Sequence, residues 1–214
     1  MELKSKIEHL LPEEIEKRSF EIITEELKKR GISLLEEQEM ITKRVIHTSA
    51  DFDYVNTLVF SKGAVSIAKE LLLKGADIVT DTNMALAGIN KNALAKLGGQ
   101  AHCFMADEDV ARIAKKEGVT RATVSIKKAS KLEKPVIFAV GNAPTALLQL
   151  YEMIMENVFC PAFVIGVPVG FVNVEVAKEL IMQTEVPYII NRGRKGGSNV
   201  AAAICNALLY ELTR

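Results

Sequence analysis

The chain has 214 residues, 49% hydrophobic and 25% charged, which is enough for one sizeable core and ordinary for a globular protein. Lys plus Arg and Asp plus Glu balance at 27 each, so no global field steers it to nucleic acid or a membrane surface, and an anionic ligand must be met by a local patch. With no tryptophan and 6% aromatics there is little basis for base stacking, and three scattered cysteines (Cys103, Cys160, Cys205) without a CxxC suggest neither a disulfide framework nor a zinc site.

The opening MELKSKIEHLLPEEIEKRSF is charged throughout and does not read as a signal peptide. From Pro12 to Arg30, apolar residues recur at Ile15, Phe20, Ile22, Ile23 and Leu27, opened by proline and acids and closed by basic residues and Gly31, which predicts a helix. A second helix is expected from Leu35 to His47. Together these form an N-terminal helical arm, residues 1–50, within one domain spanning 1–214. A further helix is expected from Gly63 to Leu73.

Short apolar runs then alternate with helical stretches. ADIVTD (76–81), AHCFM (101–105), PVIFAV (135–140), AFVIGV (162–167) and PYIINR (187–192) read as buried strands. Helices are expected over 83–97, Asp107–Glu117, Arg121–Leu132, Thr145–Glu156, Val174–Met182 and Asn199–Leu212. Five strands alternating with helices imply a parallel sheet covered on both faces. The most apolar region, Leu147–Val172, is broken by Glu152, Glu156, Pro161, Gly166 and Pro168, which excludes a membrane span and leaves a cytoplasmic protein as the expectation.

In such a sheet, ligands bind beyond the carboxyl ends of the strands, where helix N-termini also point. The segment Gly141-Asn-Ala-Pro-Thr145 reads as a carboxylate cradle, with Asn142 and Thr145 adding contacts, or as a turn with a helix cap. Gly166-Val-Pro-Val-Gly170 reads as a close approach for a flat ligand or as a connecting turn. Asn191-Arg-Gly-Arg-Lys-Gly-Gly-Ser-Asn199 sets three cations among three glycines ahead of a helix, which suits an acidic ligand, and a solvated basic loop is the alternative. It lacks the spacing of a GxxxxGK[ST] loop, and the chain has no GxGxxG, which speaks against a nucleotide- or sugar-phosphate-binding protein. His102 reads as core and His9 as surface. His47 ends a helix and is followed by Asp51 and Asp53; dipole and carboxylates would favour its imidazolium, as an acid or as a helix cap.

The segments IEKRSF (15–20), RVIH (44–47), ADIVTDTNM (76–84), TRA (120–122), VGNAPTALLQLYEM (140–153), GVPVGFVN (166–173) and RGRKGGSNVAAA (192–203) together resemble the precorrin-8X methylmutase family, in order and over almost the whole chain. The resemblance implies a flavodoxin-like, three-layer α/β/α sandwich with a mainly parallel five-stranded sheet, a homodimer, and no metal or organic cofactor of its own. It implies an intramolecular methyl migration on a tetrapyrrole macrocycle, giving hydrogenobyrinate or its cobalt form, with His47 as the catalytic residue. Arg18, Ser19, Asp81, Thr120, Arg121, Asn142, Thr145, Gly166, Val169, Gly170, Arg192 and Arg194 fall in matching segments and are expected substrate contacts. A corrinoid-binding or carrier protein without turnover is the competing expectation from the same site.

Overall fold

The computed structural model describes residues 7–214. Two helices, α1 (Pro12–Lys29) and α2 (Glu36–Ser49), and a single turn, α3 (Tyr54–Thr57), precede the first strand, β1 (Leu58–Phe60). There follow α4 (Ala64–Leu73), β2 (Asp77–Thr80), α5 (Asn83–Gly88), α6 (Lys91–Lys96), β3 (Ala101–His102), α7 (Glu108–Glu117) and α8 (Arg121–Ala129). The chain closes with β4 (Val136–Val140), α9 (Pro144–Met155), β5 (Phe163–Gly166), α10 (Val174–Met182), β6 (Tyr188–Asn191) and α11 (Ser198–Thr213).

The strands form one sheet in the order β1-β6-β5-β4-β2-β3. The parallel strands alone run β3-β2-β4-β5-β6, which is the flavodoxin-like 2-1-3-4-5 winding, with its switch point between β2 and β4. Alternate residues of each central strand enter different cores. Ile137, Ala139, Phe163 and Ile165 pack with α1, α2, α4 and α11, while Val136, Phe138, Val140 and Val164 pack with α8, α9 and α10. Burial on both faces is why these strands are unbroken apolar runs in the sequence.

The sheet has six strands rather than the expected five. The addition, β1, pairs antiparallel to β6 with Leu58 opposite Asn191 and Phe60 opposite Ile189. It is three residues long and half-buried, so neither a long apolar run nor a clear alternation marks it. The strand expected over 101–105 shrinks to Ala101–His102, because this edge strand pairs only with β2 and Phe104 and Met105 turn away to pack against the α8 side. The helix expected over 83–97 breaks in two at Ile89, where the side chain of Asn90 caps the second piece through the Ala93 amide. No helix among the described residues is long and apolar enough to cross a membrane.

The first two helices are tied to the rest of the molecule through their apolar faces. Ile23, Leu27, Ile41, Val45 and Ile46 are buried in the core built around α11. On the polar side, Arg44 bonds Glu16 of α1 at 2.7 Å and lies over the rings of Phe20 and Tyr210, so α1, α2 and the end of α11 meet at one guanidinium.

Candidate active site

The loops after β2, β4 and β6 meet at the switch point of the sheet. Asp81, 3% exposed, accepts backbone bonds from Gly141 at 2.8 Å, from Asn142 at 2.7 Å and from Ala143. Burial pushes its carboxyl above the ordinary range, and the three amides work against that shift. Asp81 was expected to touch substrate, but its carboxylate is spent on fastening the GNAPT loop. The next residue, Thr82, caps α5 and shares a 2.7 Å hydroxyl bond with Ser198 at the start of α11. Gly141 is required here, because a Cβ would lie 2.8 Å from the Gly197 carbonyl and from Ser198 Cα.

This clamp leaves the side chain of Asn142 exposed, and Thr145 Oγ1 accepts a 3.0 Å bond from Thr120, whose hydroxyl also caps α8 through the Thr123 amide. Arg121, the first residue of α8, is exposed beside them. Thr120 and Thr145 are thus in contact, with Arg121 following the one and Asn142 three residues ahead of the other in the chain. Gly166 is different. It is buried as the last residue of β5, and the space of its missing side chain is taken by Ile190, 3.0 Å from where a Cβ would stand. It serves strand packing and does not reach the surface. The exposed part of that segment begins at Val169 and includes Phe171, 83% exposed, with Gly170 bonded through its amide to the Arg194 carbonyl.

The loop 192–197 crosses the same edge. Arg192 pairs with Glu179 at 3.2 Å and Arg194 with Glu175 at 3.6 Å, both on the surface, and Arg194 also lies over the Phe171 ring. Lys195 reaches away to Asp51 at 2.7 Å and Asp53 at 3.0 Å, tying the loop to the segment just after His47. Those two aspartates were read as orienting His47 or as lying on the surface; they lie toward the surface, engaged with Lys195, which holds the Asp51 carboxyl below its usual range.

His47 sits in the last turn of α2, exposed. Its Nδ1 shares a 2.7 Å bond with the Ser19 hydroxyl, and its ring stacks on Phe20 at 5.5 Å and 25°. Ser19 and Phe20 are neighbours on α1, so one helix grips the imidazole by its edge and its face. The ring opens on a 370 Å³ hollow lined by Leu10, Ile15, Arg18, Ile22, Ala50 and Phe52 among others. Arg18 borders it with a bidentate bond to Glu8 at 2.9 and 3.1 Å. A larger hollow of 810 Å³ lies between α1 and α2 around Phe20, Met40 and Arg44, and His47 is not part of its wall.

The expected residues therefore fall into two neighbouring groups, one around His47 and one along the strand ends, joined by the contact of Lys195 with Asp51 and Asp53. Sequence reasoning missed Lys178, which has no exposed surface and bonds the carbonyls of Gly193 and Lys195 from below at 2.6 and 2.9 Å. In VEVAKELIM it occupies the place of an ordinary surface lysine, and no local signal distinguishes it.

The precorrin-8X methylmutase family model matches residues 14–211. A cobalt-precorrin-8 methylmutase of Salmonella typhimurium is 48% identical over 175 residues, 81% of each chain. The one of Priestia megaterium is 43% identical over 197 residues, 92% of this chain and 87% of its own. The crystal structure of precorrin-8x methyl mutase from Thermus thermophilus superposes with a TM-score of 0.82 at 36% identity, covering 92% of this chain and 96% of that one. The chain belongs to the precorrin-8X methylmutase family.

Proposed function

We propose that the protein is an isomerase of cobalamin biosynthesis that moves a methyl group between neighbouring carbons of (cobalt-)precorrin-8, giving hydrogenobyrinate or its cobalt form, with His47 as general acid. The observation that carries the chemistry is the grip on His47. With Nδ1 engaged by Ser19 and the ring held against Phe20, Nε2 is the nitrogen left to face a ligand in the hollow. A proton given from Nε2 to the conjugated macrocycle withdraws electron density from the acceptor carbon and leaves it electron-poor. The methyl group then migrates with its bonding pair, and the proton returns to the imidazole. General acid assistance of this kind is worth about 10²–10⁴-fold.

The macrocycle carries acetate and propionate arms. Arg192 and Arg194 lie along the strand ends with Arg121, Asn142 and Thr145, and Arg18 stands beside His47. The exposed pairs of Arg192 with Glu179 and of Arg194 with Glu175 are weak in water, about 0–1 kcal/mol each, and give way readily to ligand carboxylates. Val169 and Gly170, beside the exposed Phe171, would meet the flat face of the ring. We place the reaction in the cytoplasm and infer a homodimer, in which a second copy covers the apolar rim of Leu10, Ile15 and Ile22 and completes the enclosure of the ring. Sedimentation showing only monomer at micromolar concentration would remove the dimer from this reading.

The test is an absorption spectrum of the protein with precorrin-8X, followed over minutes beside His47→Ala. Methyl migration changes the ring conjugation, so wild type should develop a new chromophore while the variant binds without turnover. An equal rate of change in both proteins would exclude His47 as the acid. A stoichiometric, rate-independent shift in both would reduce the protein to a corrinoid binder.

A further inference from the structure

The loop 192–197 is held by its carbonyl groups. The Arg192 carbonyl accepts from Asn191 Nδ2 at 3.1 Å, and that of Gly193 from Lys178 Nζ at 2.6 Å. The Arg194 carbonyl accepts from the Gly170 amide at 3.1 Å, and that of Lys195 from both Lys178 and Asn191 at 2.9 Å. Four consecutive carbonyls are thus occupied by donors of the protein itself. At the loop ends, the Arg192 amide bonds Thr57 and the Gly197 amide bonds Val167. Between them, the amides of Gly193, Arg194, Lys195 and Gly196 have no acceptor among the described residues.

Both side-chain donors are expensive to place. Lys178 and Asn191 have no exposed surface, and Asn191 Oδ1 is buried without a partner. Burial pushes the Lys178 ammonium down to about 8, with Glu175 opposing, so it is still mostly charged at neutral pH. Among the described residues no carboxylate bonds it; carbonyl oxygens of the loop take its protons. A simple connection between β6 and α11 needs neither group.

We infer that Lys178 and Asn191 are positioning residues for substrate binding: by drawing the carbonyls of the loop toward themselves, they leave its four free amides, together with Arg192 and Arg194, to grip a carboxylate arm of the ligand. Held in this way, the loop meets an anion through backbone donors that have no competing acceptor among the described residues. Gly196 fixes the seat of the loop, since a Cβ there would lie 2.0 Å from the Val167 carbonyl. The inference rests on the reading of this loop as the site for the acid arms, and it adds that the arrangement is set from beneath, by residues that never touch the ligand.

The experiment measures affinity for hydrogenobyrinate and for its fully methyl-esterified form, by absorption titration, with wild type, Lys178→Met and Asn191→Leu, together with kcat and KM on precorrin-8X. Methionine keeps the length and apolar shape of the lysine without its protons. Expected is a loss of about tenfold or more in affinity for the carboxylate form and a matching rise in KM, with binding of the ester unchanged and kcat within about threefold of wild type. Equal losses for acid and ester, or no loss for either, would overturn the inference while leaving the methylmutase reading intact. A wild type that neither binds nor converts these ligands would overturn both. If the variants do not fold, amide hydrogen exchange on wild type decides. The amides of residues 193–196 should become protected when hydrogenobyrinate is added and stay unprotected with the ester; exchange unaltered by the acid refutes the role.

Discussion

Asp81 offers the sharpest test of how the strand-end loops are held. Replacing it with alanine leaves the amides of Gly141, Asn142 and Ala143 without their acceptor. A buried donor left unsatisfied costs about 1–3 kcal/mol. Three of them would give the upper part of that scale several times over, but two effects reduce the sum. Asn142 is exposed, so water reaches at least one of the amides, and the variant is spared the burial that pushes the Asp81 carboxyl up. The expected destabilisation is therefore about 2–4 kcal/mol, a large share of the roughly 5–15 kcal/mol of a typical domain. Asp81→Asn separates the two halves of the reasoning. Its amide group keeps one acceptor oxygen and turns two N–H protons toward backbone donors, so it should cost nearly as much as alanine despite its matching shape. Urea unfolding of the three proteins, followed by far-ultraviolet circular dichroism, gives the differences directly. A cost below about 1 kcal/mol for alanine, with an unchanged denaturant slope, would refute the view that this carboxylate holds the loop.

Other outcomes follow from the same geometry. Ser19→Ala should lower kcat about tenfold with KM nearly unchanged, since the hydroxyl orients His47 and the acid itself is worth more; steady-state kinetics decide it, and a pure KM effect would contradict the assignment. Lys178 holds its proton to about pH 8 in the folded protein and to the ordinary lysine value of 10.5 when unfolded, so the folded state binds fewer protons between these values. Its burial cost is fully present below pH 8 and is relieved as pH rises toward 10.5. The stability of wild type relative to Lys178→Met should accordingly increase over that interval in urea titrations, and a constant difference would be inconsistent with a buried ammonium. The Cys205 thiol, fully enclosed and pushed up to about 12, should react with a thiol reagent only after denaturation, whereas the exposed Cys160 reacts in the native protein. Lys195→Ala should leave global stability nearly unchanged, because its pairs with Asp51 and Asp53 are surface contacts, yet raise exchange of the bonded Arg192 and Gly197 amides at the loop ends.

What could be read in the chain depended on whether the cause lay close by in sequence. The central strands were legible because burial on both faces forces a run such as VIFAV, and α1 because proline, acids, bases and Gly31 bracket one apolar periodicity. The strand β1 was not legible, since Leu58–Phe60 takes its identity from a partner 129 to 133 residues away: Asn191 opposite Leu58, and Ile189 opposite Phe60. The site shows the same division. Loop segments rich in Gly, Asn and Arg announce themselves by composition, and the resemblance pointed to His47. The uses of Asp81 and Gly166 were not announced, because an inward carboxylate and a missing methyl group are defined by loops and side chains brought from other parts of the chain. Asp51 and Asp53 lie close to His47 in the chain, and only the folded chain brings Lys195 across 142 to 144 residues to claim them.

The position of α11 sets the order in which a working enzyme can emerge from the ribosome. This last helix covers one face of the sheet, seats its first turn against Gly141 and Thr82, and takes the apolar side of α2 along its length. The helix synthesised early thus waits for one synthesised much later, with Ile41, Val45 and Ile46 lacking their final neighbours while some 150 residues are added. Such distant closure slows folding and leaves the nascent chain sticky in the interval. Slower growth or a holding chaperone should therefore raise the yield of active protein more than any change to the surface of the finished fold.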